Sequence, residues 1–240
     1  MQSDEKIQRR KLSDEVFNRL FQAIEDGELT PGSQLPSERD LMARFGVGRP
    51  AVREAMQALG NMGLIEISHG ERARVTRPSA DAVIAQIDGA ARHLLSTSPQ
   101  SLEHLKEARE FFEVGMASEA AKRATLDDIE KLKAALALQQ SHYNKDLKAF
   151  VAADMAFHTA IAAITGNPVF EAVSRATLQW LSQYHSGVLR WKGHENITLE
   201  EHQQVLDCIA ARDPDGAATA MRTHLRRSRK VYQRGKPTLS

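Results

Sequence analysis

Residues 34–63, QLPSERDLMARFGVGRPAVREAMQALGNMG, contain two short amphipathic helical patterns separated by a tight turn. Ser37 is a favourable N-cap for the first helix, and Gly46 can close it because glycine readily adopts the left-handed conformation. Pro50 falls in the first turn of the second helix, where its missing N–H costs little. The stretch therefore predicts a helix-turn-helix. Two ordinary surface helices with solvated charges are the alternative.

Both predicted helices carry one apolar face. The apolar residues recur at helical spacing: Leu41, Met42 and Phe45 in the first helix, and Val52, Ala55, Met56 and Leu59 in the second. Arg49 and Arg53 point away from that face. Because the planar guanidinium binds phosphate oxygens or the edge of guanine bidentately, these arginines suit a DNA-reading helix.

A short hairpin follows the second helix. Residues 64–67 and 72–75 alternate between apolar and polar side chains in the manner of strands, and residues 68–71 supply a turn. The tip and the return strand carry His69, Arg72 and Arg74. A hairpin in this position is the wing of a winged helix, where basic side chains lie beside the duplex backbone.

The rest of the chain predicts a second, purely helical domain. We expect a flexible N-terminus at 1–10, a winged helix-turn-helix domain at 11–77 and a linker at 78–82. An all-helical effector-binding and dimerisation domain is expected at 83–233, followed by a flexible tail at 234–240. The winged domain is expected to begin with a helix from Lys11 to Gly27, capped by Ser13. Seven helical segments are predicted at roughly 81–96, 101–123, 126–141, 146–165, 168–192, 197–211 and 214–233. The fold class is mainly α: an N-terminal winged helix-turn-helix domain followed by an all-α antiparallel bundle of six to seven helices.

Composition narrows the class of protein. The net charge of +1 over 240 residues gives no global field for nucleic acid. Residues 39–77 nevertheless carry seven basic and four acidic side chains, so positive charge is concentrated locally. Cys208 is the single cysteine, which excludes an intramolecular disulfide. Since the sequence shows neither a signal peptide nor an apolar run of membrane-spanning length, we expect a cytoplasmic protein.

One constellation in the second domain has the chemistry of a metal site. Asp154 and His158 are four residues apart on one helix and therefore share a face. His202 and His224 fall at helix-compatible positions on two further segments. Such a set can surround a divalent metal, and zinc is the first choice for a histidine-rich site. The alternative for each histidine is a surface or hydrogen-bonded core residue.

The motifs resemble a known family. LPSERDLMARFGVGRPAVREAMQAL followed by GLIEISHG is similar to the GntR family of bacterial transcription regulators. The resemblance implies that operator DNA is contacted by Arg39, Arg49 and Arg53 and, at the tip of the wing, by His69 and Gly70. The candidate DNA-binding residues are Arg39, Arg49, Pro50, Arg53, His69, Gly70, Arg72 and Arg74. Because one winged domain offers few base-reading side chains, we expect a homodimer.

The second domain resembles the FCD-type effector domain of the FadR subfamily. That resemblance implies that Asp154, His158, His202 and His224 are metal ligands. It also implies that Arg109, in EAREFFEVG, binds an effector carboxylate; a structural ion pair with Glu113 or Glu110 is the alternative. Asn167 is a further candidate effector-binding residue, with the N-cap of the next helix as its alternative role.

The segments HGERARVTRPSAD, EAREFFE and DMAFH are similar to the sialic-acid-responsive members of the family. The resemblance implies a transcriptional repressor of sialic acid catabolism genes with N-acetylneuraminate as effector. A regulator that responds to another sugar acid or hydroxy acid is the alternative. A metal-dependent enzyme fused to a DNA-binding domain is more distant, and a purely architectural DNA binder leaves the Asp and His set unexplained.

Overall fold

The computed structural model describes residues 11–68, 71–77, 79–184 and 195–233. The chain divides into two compact units, Met1–Gln86 and Ile87–Ser240. This boundary falls inside a helix that begins at Ala80, beyond the linker predicted at 78–82. His69 and Gly70, at the predicted tip of the wing, lie outside the described residues.

The first unit is a winged helix-turn-helix, as predicted. Its elements are α1 (Leu12–Glu25), α2 (Glu38–Phe45), α3 (Arg49–Asn61), β1 (Ile65–Glu66) and β2 (Arg74–Val75). The two strands pair antiparallel, with Ile65 opposite Val75. Leu20, Leu41, Val52 and Leu59 are fully buried where the three helices meet. The apolar faces predicted from helical spacing therefore form the core of this unit.

The ends of α2 are confirmed, and the cap predicted for α1 is wrong. The Ser37 side chain accepts a hydrogen bond from the Asp40 backbone N–H, and the Asp40 carboxylate accepts one from the Ser37 backbone N–H, which together form a capping box. Gly46 closes the helix at φ 64°. Ser13, by contrast, lies inside the first turn of α1, which follows Lys11 without a side-chain cap. Ser13 is buried there, so its side chain packs inside the unit and does not cap the helix.

The hairpin is shorter than the alternation of residues suggests. Each strand has two residues, against four predicted for each. On its other side, the return strand contacts the segment before α2, through a bridge between Gln34 and Arg74 and a bond from the Leu35 N–H to the Ala73 carbonyl. The return strand therefore has a neighbour on each side, β1 on one and the segment before α2 on the other. The alternation of its side chains reflects both neighbours, and only β1 is its hairpin partner.

The second unit is an all-helical bundle. From residue 79 onward, the described residues form the helices α4 (Ala80–Thr97), α5 (Pro99–Arg123), α6 (Leu126–Ser141), α7 (Leu147–Ile164), α8 (Pro168–Tyr184), α9 (Glu195–Ala210) and α10 (Pro214–Gln233). Each corresponds to one predicted segment, although the predicted end of the fifth, at 192, lies outside the described residues. The core is formed by apolar side chains from α5, α6, α7, α9 and α10.

Helix α7 is the central element of the bundle. By length and composition this helix could cross a membrane, with a mean hydropathy of 1.4, although no apolar run of that length was expected from the sequence. Its Phe150, Phe157 and Ile161 are instead buried in the bundle, and it contacts α5, α6 and α8. Such burial is typical of a core helix, and it places the polar side chains of α7 inside the domain.

Candidate metal centre and DNA-binding surface

Four predicted ligands come together inside the bundle. Asp154 and His158 project from α7, His202 from α9 and His224 from α10, and all four are buried. One donor atom from each lies within 4.8 Å of every other. The four-residue spacing of Asp154 and His158 places this pair on one face of α7. The packing of α9 and α10 brings His202 and His224 next to that face. Among the described residues, this cluster can hold a metal ion.

The distances between donor atoms fit a metal. Nε2 of His202 lies 3.3 Å from Nε2 of His224 and 3.5 Å from Oδ1 of Asp154. Nε2 of His158 lies 3.9 Å from Oδ2 of Asp154 and has no hydrogen-bond partner among the described residues. Ligands about 2.1 Å from a tetrahedral ion are about 3.4 Å apart. Buried nitrogens normally have a hydrogen-bond partner, so a free lone pair on Nε2 of His158 is expected if this atom binds a metal.

Two of the imidazoles are oriented by carboxylates. Nδ1 of His158 lies 2.7 Å from Oε2 of Glu113, and Nδ1 of His224 lies 2.8 Å from Oε2 of Glu201. A carboxylate accepts, so in the His224–Glu201 hydrogen bond Nδ1 carries the proton and Nε2 of His224 presents its lone pair to the cluster. The contact between His158 and Glu113 is equally short, but its geometry is not that of a hydrogen bond. Carboxylates that hold the far side of a metal-bound histidine are common in metal sites.

Each of these carboxylates is paired in turn with an arginine. Arg109 Nε donates to Glu113 Oε1 at 2.7 Å along α5. Arg227 on α10 donates to both oxygens of Glu201, at 2.6 and 2.7 Å, and also to the Thr198 hydroxyl. The site therefore contains two nearly identical chains of contacts, arginine to glutamate to histidine, which converge from different helices.

Burial and charge set the protonation of these groups. Desolvation lowers the pKa of His202 well below 6.5 and also lowers that of His224, which favours the neutral imidazoles that bind metals. Burial alone would raise the pKa of Glu113, but the charge of Arg109 beside it holds that pKa well below its ordinary value. The pKa of Glu201 is also lowered, because hydrogen bonds from His224 and Arg227 outweigh burial.

The two predicted effector-binding residues have identifiable contacts. Arg109 pairs with Glu113, the structural partner considered as its alternative role. Asn167 Oδ1 accepts a bond from the Val169 N–H at the start of α8, the alternative role considered for it. A cavity of about 820 Å³ beside α5, bounded by residues that include Phe111, Phe170 and Arg226, contains none of the four donors.

Sequence reasoning missed two residues that organise the cluster. Arg227 carried no motif, and Gln139 on α6 was not singled out at all. Gln139 is fully buried and its Oε1 lies 2.8 Å from Nδ1 of His202. Its signal in the sequence is its register, because Gln139 continues the buried stripe of Ile129, Leu132 and Leu136 with a polar side chain.

The first unit exposes the predicted DNA-binding side chains that the structure describes. These are Arg39, Arg49, Pro50, Arg53, Arg72 and Arg74. Glu38 on α2 was not among the predicted DNA-binding residues. Arg53 Nε nevertheless donates to its carboxylate at 2.8 Å, and Arg49 Nε lies 3.6 Å from it. One carboxylate thus gathers two exposed arginines at the start of α3, where a DNA phosphate would compete for them.

Comparison with known proteins agrees with both units. The model for bacterial regulatory proteins of the gntR family matches residues 12–75, and that for the FCD domain matches residues 104–227. The chain is 43% identical to the HTH-type transcriptional repressor NanR of Cronobacter sakazakii over 221 residues, covering 91% of this chain and 84% of that protein. NanR of Salmonella newport matches with the same identity and the same coverage of both chains.

Solved structures support the fold. The structure of Streptococcus agalactiae GntR matches with a TM-score of 0.64 and 22% identity, covering 91% of this chain and 99% of that one. A regulator that controls the agr system of Listeria monocytogenes matches with a TM-score of 0.51 and 20% identity, covering 95% of this chain and 100% of that one. The chain therefore belongs to the GntR family of bacterial regulatory proteins and carries an FCD domain, as a FadR-type regulator close to the NanR repressors.

Proposed function

We propose that this protein is a cytoplasmic transcriptional repressor that binds operator DNA as a homodimer and is controlled by a small carboxylate at a zinc centre. The effector proposed is N-acetylneuraminate, and the controlled genes are those of sialic acid catabolism. The observation that carries the proposal is the buried set of Asp154, His158, His202 and His224 in the same chain as a winged helix. Similarity to the NanR repressors supports the choice of effector.

The charges around the cluster favour an anionic ligand. Arg109 and Glu113 form one buried pair, and Arg227 and Glu201 form another, so each pair cancels within itself. Asp154 then remains as the single carboxylate among the four donors. With neutral imidazoles, a divalent ion would leave the site with one net positive charge. A buried charge is costly unless it is compensated, and one carboxylate would compensate it.

The donor set also suits the chemistry of a hydroxy acid. A zinc ion held by three imidazoles and one carboxylate can add oxygen ligands, which a carboxylate and a neighbouring hydroxyl would supply. Arg109 is proposed to assist with the carboxylate while it remains paired with Glu113, and Asn167 is the second proposed contact. N-acetylneuraminate, uronates and simple hydroxy acids all offer these groups.

DNA recognition is proposed to rest on α3 and the wing. Arg49, Arg53 and Pro50 would enter the major groove, and Arg39, Arg72 and Arg74 would hold the backbone. His69 and Gly70 complete the proposed set from the tip of the wing. Exposure of the described members on the first unit supports this assignment.

A second copy of the chain is proposed to bind α5. This helix exposes Phe111 and Phe112, with fractional exposures of 79% and 40%. The adjoining cavity is lined by acidic side chains, among them Glu107 and Glu119, and by the basic side chains of Arg222 and Arg226. A two-fold contact brings each patch onto its own copy, so a patch that carries both signs of charge is complementary to itself.

Calorimetric titration tests the proposal. N-acetylneuraminate is titrated into zinc-loaded protein and into protein treated with EDTA, with N-acetylmannosamine as a neutral control and glucuronate and lactate as competing acids. We expect binding of N-acetylneuraminate to the zinc-loaded protein only, and a stabilisation of about 2.7 kcal/mol at 100 times its dissociation constant. Stronger binding of another acid would move the assignment to that acid, and equal binding with and without zinc would refute the metal-centred site.

A further inference from the structure

Gln139 joins two of the four donors to each other. It projects from α6 and is fully buried between α7 and α9. Its Nε2 group donates to Oδ1 of Asp154 at 3.1 Å, and its Oε1 lies 2.8 Å from Nδ1 of His202. Among the described residues, Gln139 is the side chain that hydrogen-bonds to both Asp154 and His202. Gln139 also differs chemically from the partners of the other two histidines. Nδ1 of His158 and of His224 contacts a carboxylate, whereas Nδ1 of His202 contacts the Gln139 amide.

The protons of this arrangement follow from which groups can donate. An ionised carboxylate only accepts, so the NH₂ group of Gln139 must face Asp154. The carbonyl oxygen of Gln139 then faces His202, and it too can only accept. Nδ1 of His202 must therefore carry the proton in this contact, and Nε2 is left with its lone pair directed toward His224 and Asp154. The Asp154 carboxylate thus sets the tautomer of His202 through the amide.

We infer that Gln139 is a positioning residue of the metal centre, which orients Asp154 and His202 as one unit and fixes His202 in the tautomer that binds metal. The inference rests on the metal centre of the proposed function. A neutral amide performs this task without adding charge. A carboxylate at the same place would bring a second negative charge beside Asp154 and cancel the net positive charge that a divalent ion leaves for an anionic effector.

The test compares Gln139→Leu with Gln140→Leu. Leucine keeps most of the buried volume at 139 but leaves the Nδ1–H of His202 and one oxygen of Asp154 without their partner. Gln140 is the neighbour on the same helix and is exposed, so the identical change there leaves the cluster intact. Zinc affinity is measured by competition with a chromophoric chelator. Loss of a residue that holds a metal ligand typically weakens metal binding 10–100-fold, and we expect this only for Gln139→Leu. Equal affinities in the two variants, within twofold, would overturn the inference.

A second measurement uses the unaltered protein and does not depend on the folding of a variant. Long-range proton–nitrogen spectra of the histidine rings in zinc-free protein report which nitrogen carries the proton. We expect His202 to be protonated on Nδ1, and protonation on Nε2 would overturn the inference. Failure of the unaltered protein to bind zinc would instead refute the proposed metal centre, so the two ideas fail separately.

Discussion

The buried pair of Arg109 and Glu113 offers a sharp test of how the centre is held. Glu113→Gln keeps the size of the side chain and one hydrogen-bond acceptor but removes the charge. Arg109 and Glu113 have side chains that are only 12% and 5% exposed, and Nε and Oε1 are 2.7 Å apart. Removing one partner of such a pair leaves a buried charge uncompensated, which costs about 3–5 kcal/mol.

The matched control lies three residues earlier on the same helix. Glu110 also accepts from an arginine, Arg226, at 2.7 Å, but the Arg226 side chain is 63% exposed. Exposed pairs contribute about 0–1 kcal/mol, because water screens them. Glu110→Gln should therefore cost less than 1 kcal/mol. The two variants share chemistry, helix and bond length, so the difference between them measures the burial of Glu113 together with its contact to His158.

Urea unfolding of zinc-free protein, followed by tryptophan fluorescence, gives the free energies. Trp180 and Trp191 are the two tryptophans of the chain, so the signal reports the second domain. We expect Glu113→Gln to lower the free energy of unfolding by about 3 kcal/mol. With a thermal scan, this corresponds to a fall of about 6–12 °C for a domain of this size. A loss no larger than that of Glu110→Gln would refute the reasoning.

Three further predictions concern DNA, pH and coupling. Arg53→Ala should weaken operator binding by about 1–3 kcal/mol in a mobility-shift titration at fixed salt; Arg19→Ala, an exposed change on α1, serves as control, and equal affinities would contradict the docking of α3. Burial lowers the pKa of His202 and His224 below 6.5, so the unfolded chain binds more protons than the folded chain in acid. The stability of zinc-free protein should therefore fall as the pH drops from 7 to 5, and a melting temperature that stays level or rises in EDTA would count against this. N-acetylneuraminate should weaken operator binding, and operator should weaken N-acetylneuraminate binding by the same factor, as linkage requires; sialic acid that binds without shifting the DNA isotherm would refute the coupling.

The sequence predicted the elements better than their contacts. Ser37 and Gly46 mark the ends of α2 through local chemistry, and the four-residue spacing of Asp154 and His158 defines one face of α7 without any tertiary information. Local signals are sufficient there because each depends on residues within one or two turns. Ser13 shows the limit, since a good capping residue can equally be buried one position into the helix.

The supporting contacts of the centre were beyond such reasoning. Gln139 contacts His202, 63 positions away, and Arg227 contacts Glu201, 26 positions away. Those distances depend on how α6, α9 and α10 pack, which no local pattern determines. Resemblance to a family supplied the ligand set, and the structure adds how each imidazole is held. A polar residue on an apolar stripe, such as Gln139, indicates a buried hydrogen-bond partner.

The most direct test of the account is the metal content of the purified protein. Elemental analysis of protein prepared without chelator should find about one zinc ion per chain, and His202→Ala should lose it while His104→Ala, an exposed histidine on α5, should retain it. Protein that carries no metal and takes up none when zinc is added, or equal zinc in both variants, would contradict the central claim that Asp154, His158, His202 and His224 form a metal centre.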